Sequence, residues 1–170
     1  AITQSSDFLT SEWRDIPERQ RSLRAVFAWS WRLLTPPEQQ VLRQLAVFQG
    51  GFARSAAQAV TGVPLSLLTR LVHKSLLQWD ESELTPVGGR YALHELLRQF
   101  AAEKLAQLPD EQATVQSAHS RFYLTYLAER TVPLLRHEPQ TIGAEILGEL
   151  DNIRQAWAWA ANQGDCAALE

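Results

Sequence analysis

The chain has 170 residues, 45% of them hydrophobic, a formal net charge of −3 and a single cysteine. This is enough chain for one domain or two small ones, each with an apolar core. The nearly balanced charge leaves no electrostatic footprint of a nucleic-acid binder, and one cysteine, Cys166, excludes an intramolecular disulfide and fits a reducing, cytoplasmic setting. No apolar run approaches the roughly 18 residues of a membrane span. The polar stretch from Ala1 to Ser22 lacks the apolar core of a signal peptide. With no methionine, even at position 1, the sequence is expected to be a piece of a larger protein.

Residues 1–20 mix polar groups with isolated apolar ones (Phe8, Leu9, Trp13, Ile16) and read as an arm or the tail of a preceding domain. From Arg21 a helix is expected, with Leu23, Val26, Phe27, Ser30 and Leu34 on one face and Trp29 and Trp31 beside it. Arg19, Arg21 and Arg24 crowd its start, where the helix dipole disfavours cations. They form either a solvated helix start or a contact for an acidic or phosphate-bearing partner. Thr35-Pro36-Pro37-Glu38 is a helix start with a capping box and proline at the first position. That helix carries Val41, Leu42, Leu45, Ala46 and Phe48 and stops at Gly50-Gly51. A short third helix spans about Ala53 to Val60, and a fourth from Pro64 turns Leu65, Leu68, Leu71 and Val72 inward.

The period then changes. Leu76 to Trp79 reads as extended, Asp80 to Gly89 as a polar loop, and Arg90 to Leu93 as extended again, giving a two-stranded hairpin with a long tip. The second strand runs straight into a helix whose apolar face is Leu93, Leu96, Leu97, Phe100, Ala101, Leu105 and Leu108. His94 and Glu95 thus sit at a strand-to-helix junction, where unpaired backbone N–H groups favour an anion such as phosphate. Helices, a β-hairpin and a closing helix are the order of a winged-helix domain, here over residues 21–108.

A new pattern starts after Pro109-Asp110. Val115, His119, Phe122, Tyr123, Tyr126 and Leu127 mark a long helix expected to end before Pro133. A loop with Arg136, His137 and Pro139 leads to a last helical segment with Ile142, Ile146, Leu150, Ile153, Trp157 and Ala160 inward, closed by Gly164. Two such antiparallel helices cannot bury both faces alone, as in the first unit of a stacked helical repeat. Residues 110–170 therefore read as the start of a tetratricopeptide-like array, with 165–170 opening the next helix. The fold class is mainly α: a winged-helix domain with a small β-hairpin, then antiparallel helices of a repeat.

No motif for catalysis is complete. His94-Glu95-Leu96-Leu97-Arg98 misses the zinc-protease pattern His-Glu-x-x-His, because a guanidinium cannot replace the second imidazole. His73, His119 and His137 lack ligand spacing, so no metal is expected. No phosphate loop, dinucleotide fingerprint or serine elbow is present. The candidate recognition helix, Pro64 to Ser75, offers Ser66, Thr69, Arg70, His73 and Lys74, few positive charges for a phosphate-neutralising surface. The wing, Asp80-Glu81-Ser82-Glu83, is acidic. Trp29, Trp31, Trp157 and Trp159 read as packing rather than base-stacking residues, and His94, by spacing alone, as a hydrogen-bonded structural residue.

Three stretches carry a resemblance: Pro17-Glu18-Arg19-Gln20-Arg21-Ser22-Leu23-Arg24-Ala25-Val26, Ala46-Val47-Phe48-Gln49-Gly50-Gly51-Phe52 and Tyr91-Ala92-Leu93-His94-Glu95-Leu96-Leu97. Together they resemble the STAND ATPases, most closely bacterial transcriptional regulators of the AfsR/LuxR-like type with an AP-ATPase core. Glu149-Leu150-Asp151-Asn152-Ile153-Arg154-Gln155-Ala156-Trp157 is similar to the start of the tetratricopeptide-like array in those proteins. The resemblance implies a non-catalytic fragment whose winged helix packs on an upstream nucleotide-binding domain and does not read DNA. Leu93-His94-Glu95 matches the Met-His-Asp motif of related proteins, whose histidine reaches the β-phosphate of ADP. This implies a nucleotide-sensing role for His94, with Leu93 and Glu95 departing from the pattern. The chain alone would bind no cofactor, and ADP or ATP would be bound by the full-length protein. The other partner implied is an inducer, protein or small molecule, reached through the helical array, with no membrane. Two rivals stand beside this reading: a winged-helix DNA-binding transcription factor with a helical dimerisation extension, and a protein-interaction adaptor indifferent to nucleotide.

Overall fold

The structure, a computed structural model, describes residues 18–85, 88–136 and 139–164. The expectations for the arm up to residue 17, the wing tip at Pro86, His137 and the next helix at 165–170 lie outside the described residues. Helix α1 (Glu18–Arg32) precedes α2 (Pro36–Leu45), strand β1 (Phe52–Ala53), α3 (Arg54–Thr61) and α4 (Leu65–His73). Strands β2 (Gln78–Thr85) and β3 (Gly88–Ala92) follow, then α5 (Glu95–Ala106), α6 (Pro109–Arg136), α7 (Pro139–Gly148) and α8 (Leu150–Gln163). The molecule is mainly α-helical with one small antiparallel sheet in the order β1-β3-β2. Helix, strand, two helices and a hairpin closing on the first strand is the winged-helix arrangement.

Local chemistry fixes these elements. The capping box forms: the Thr35 N–H and hydroxyl both donate to the Glu38 carboxylate, at 2.8 and 2.9 Å. Gly62 closes α3 in the left-handed conformation. The core gathers Leu42, Leu45, Phe48, Phe52, Ala57, Leu68 and Leu71, all almost fully buried. Phe48 stacks on Phe52 at 4.4 Å, and Phe52 packs on Tyr91 of β3 at 5.9 Å, so the sheet adheres to the helices through one aromatic column. Helix α1 packs on α5 by the edge-on contact of Trp31 with Phe100 and by the Arg24–Glu103 ion pair.

The same cluster of buried residues continues into α6 and α8 through Val115, Tyr123, Ile153, Ala156 and Ala160. These helices are antiparallel, because contacts climb one as they descend the other. Gln116 meets Trp159, Ser120 donates to the Ala156 carbonyl, and Arg130 meets Glu145 of α7.

Several expectations change in detail. The sheet has a third strand, β1, paired through Phe52–Tyr91 and Ala53–Arg90. The segment after Trp79 is strand to Thr85, not loop, and β3 begins at Gly88. Asp80 stands opposite Arg90, and opposed charges favour that cross-strand pairing. Helix α6 runs on through Pro133 to Arg136, since proline removes one donor from the ladder while keeping a helical φ. The last segment is two helices, and its buried face is rotated: Glu149, Asn152, Ile153, Ala156 and Ala160 point inward, whereas Trp157 is 45% exposed. Val26, Trp29 and Leu65 are also exposed.

Candidate functional site

The strand-to-helix junction is built by Leu93 and His94, between the end of β3 and the first turn of α5. His94 is the N-cap, and its carbonyl accepts the N–H groups of Leu97 and Arg98 at 2.9 Å each. Its Nδ1 accepts the Leu96 N–H at 3.3 Å. In the neutral ring this places the proton on Nε2, so the exposed imidazole keeps one donor. The ring borders a 250 Å³ cavity whose apolar wall is Leu23, Phe27, Leu76 and Leu97. Glu95 does not share this task. Arg98 grips both its carboxylate oxygens at 2.8 Å and Gln99 adds a third bond. The Arg98 hydrogen bonds, opposed by partial burial and aided by Gln99, hold the Glu95 carboxyl down at about 2. Arg98 also donates to the Ala46 carbonyl, tying this turn to the end of α2. The junction can hold a hydrogen-bond acceptor. It contains no nucleophile–base pair, and among the described residues no group of side chains could hold a metal.

Two cations at the end of α4, Arg70 within the helix and Lys74 just after it, are engaged elsewhere. Lys74 Nζ lies 2.8 Å and an Arg70 nitrogen 3.2 Å from Glu38, whose side chain is fully covered. Burial would raise the Glu38 carboxyl, but the hydrogen bonds from Lys74 and Thr35, with the lysine charge, bring it to about 2. These long side chains cover Glu38 near the surface; it does not lie deep in the core. Ser66, Thr69 and His73 are exposed, and Thr69 bonds back to the Leu65 carbonyl.

A second polar centre joins the sheet to the helical pair. The Arg90 guanidinium of β3 pairs with Glu149, at the α7–α8 corner, and both are buried. Asn152 accepts the Gln49 N–H at 2.8 Å, donates to the Gly51 carbonyl at 2.8 Å and donates to Glu149 at 3.0 Å. His119 of α6 approaches the same Asn152 oxygen at 3.4 Å and lies edge-on to Phe48. Burial lowers the His119 imidazole to about 4, against a smaller upward push from Asn152, so it is neutral at pH 7. Tyr123, fully buried beside it, is raised by burial and by the Glu149 charge. Gly51 is required here: its φ is +108°, and a Cβ would stand 3.1 Å from the Tyr91 carbonyl oxygen.

His94 and Glu95 thus lie where the sequence puts them, with Glu95 bound to Arg98. The Arg90–Glu149–Asn152–His119 centre escapes sequence reading. Its one signal is that Glu149 and Asn152 precede Ile153 and Ala156 by four residues, so polar groups share the stripe of buried apolar ones.

The chain is similar to longer mycobacterial proteins. It is 37% identical over 158 residues, 89% of its length, to proteins of Mycobacterium tuberculosis and Mycobacterium bovis provisionally named HTH-type transcriptional regulators. It spans 17% of the length of those curated relatives. An uncharacterised Mycobacterium tuberculosis protein is 33% identical over 106 residues, 56% of this chain and 26% of that protein. No protein-family model and no solved structure matches the chain.

Proposed function

We propose that this chain is a non-catalytic regulatory portion of a multidomain, cytoplasmic transcriptional regulator of the signal-transduction ATPase type. In this reading the winged helix packs on an upstream nucleotide-binding domain, His94 reports its nucleotide state, and α6 to α8 begin a tetratricopeptide-like array that receives the inducer. The observation that carries it is the His94 ring itself. Its Nδ1 is occupied by the Leu96 N–H, it is exposed, and its remaining donor is Nε2. A donor so fixed suits a phosphate oxygen of ADP, and such a charge-assisted bond contributes about 1.5–3 kcal/mol. Loss of the phosphate contact shifts a two-state equilibrium by roughly ten- to a hundredfold. The test is the transcriptional output of the full-length regulator with His94→Ala. Basal activity without inducer should rise, and an unchanged basal level would remove the sensor role.

A second reading follows from the naming of the relatives as HTH-type regulators: α4 reads DNA. The ion pairs of Arg70 and Lys74 with Glu38 argue against it, because cations held by a buried carboxylate are poor partners for phosphate. Duplex DNA titrated into the chain at low salt, followed by fluorescence anisotropy, separates the two. Tight, steeply salt-dependent binding would favour the second.

A further inference from the structure

A cavity of about 510 Å³ lies between α3, α6 and the α7–α8 corner, away from His94. Its volume suits a small molecule. Ala56, Ala59 and Ala118 keep its walls low, and the rings of Phe122 and Tyr126 give it an apolar floor. Five charged side chains line it, and three are satisfied internally. Glu149 holds Arg90, and Glu145 holds Arg130, whose guanidinium also lies 3.5 Å over the Tyr126 ring. The other two, Arg121 and Glu129, are exposed and make no ion pair or hydrogen bond with the described residues. They are opposite in sign and eight residues apart on α6, so their Cα atoms stand about 12 Å apart along the helix.

We propose that this cleft binds a short zwitterionic peptide of about three residues. The free carboxylate would meet Arg121, the free ammonium would meet Glu129, and apolar side chains would lie on Phe122 and Tyr126. An extended chain advances about 3.3–3.6 Å per residue, so three residues cover a length close to the separation of the two Cα atoms. A peptide bound there also touches Glu149, the carboxylate that holds β3 to the helical pair, so its occupancy is felt at the junction of the two parts.

The test is calorimetric titration of the whole chain with the unblocked tripeptide Ala-Leu-Ala, alongside its N-acetylated and C-amidated forms. Saturable binding is expected, weakened about fivefold by blocking either end, the size of a solvated ion pair. In Arg121→Gln the amidated and free peptides should bind alike; in Glu129→Gln the acetylated and free peptides should bind alike. Both residues are exposed, so neither variant should perturb folding, which circular dichroism would verify. No saturation up to about 10 mM, roughly the weak limit of specific binding, would overturn the proposal. Equal affinity for the doubly blocked peptide would also overturn it, marking the cleft as a seat for an internal protein segment.

Discussion

Replacing Asn152 by alanine should be the most destabilising single change at the junction between sheet and helical pair. The side chain makes three hydrogen bonds of 2.8–3.0 Å, to Gln49, Gly51 and Glu149, and is 1% exposed. Truncation leaves the Gly51 carbonyl and the Gln49 N–H without their partner in a buried site. Each such loss costs about 1–3 kcal/mol, so the total is about 4 kcal/mol, a large part of the 5–15 kcal/mol typical of a whole domain. Asn152→Asp should cost at least as much, because it loses both donors and sets a second carboxylate beside Glu149. Asp151→Ala is the control: its exposed side chain lies 3.7 Å from Arg154, a contact contributing under about 0.5 kcal/mol. Urea unfolding followed by circular dichroism measures all three. A loss below about 1 kcal/mol for Asn152→Ala, or one equal to that of the control, would refute the view that this centre bolts the two parts together.

Three other predictions use the same structure. His119 has its pKa lowered from 6.5 to about 4 by burial, so the unfolded chain takes up a proton first as pH falls. Stability should drop by about 3 kcal/mol between pH 6.5 and 4 and be fully retained above that window; His119→Gln should flatten this slope in urea titrations at stepped pH. Glu38→Gln removes the partner of Lys74, Arg70 and Thr35 and should cost about 2 kcal/mol at pH 7. Because its carboxyl lies at about 2 rather than 4.5, that difference should fade as pH falls from 4.5 toward 2. Gly51→Ala should cost about 2 kcal/mol of stability through strain and displacement at φ +108° and so lower the thermal midpoint; an unchanged midpoint in differential scanning calorimetry would contradict the required glycine.

The sequence made much of this architecture readable because its signals are local. Thr35-Pro36-Pro37-Glu38 announces α2 by capping chemistry, Gly62 ends α3, and the three- and four-residue steps from Leu93 to Leu105 mark α5. The two-residue strand β1 is too short to show a period and exists only because Phe52 lies against Tyr91. The acidic segment after Trp79 resembles a loop until Arg90 is placed opposite Asp80. Trp157 shows why apolar identity misleads in α8. The helix turns by the choice of two polar residues, Glu149 and Asn152, whose partners Arg90, Gln49 and Gly51 lie some 60 to 100 residues away. The candidate site divides in the same way. His94 is visible as a cap position, whereas the engagement of Glu95 with Arg98, and of Arg70 and Lys74 with Glu38, depends on which side chains the fold brings together.

The proposed sensor role is tested most directly by ADP calorimetry on this chain and on a longer polypeptide that adds the upstream region, each with and without His94→Ala. The account predicts no binding by the chain alone and tight binding by the longer protein, weakened about ten- to a hundredfold by the substitution. Equal ADP affinity with and without the His94 imidazole would contradict it.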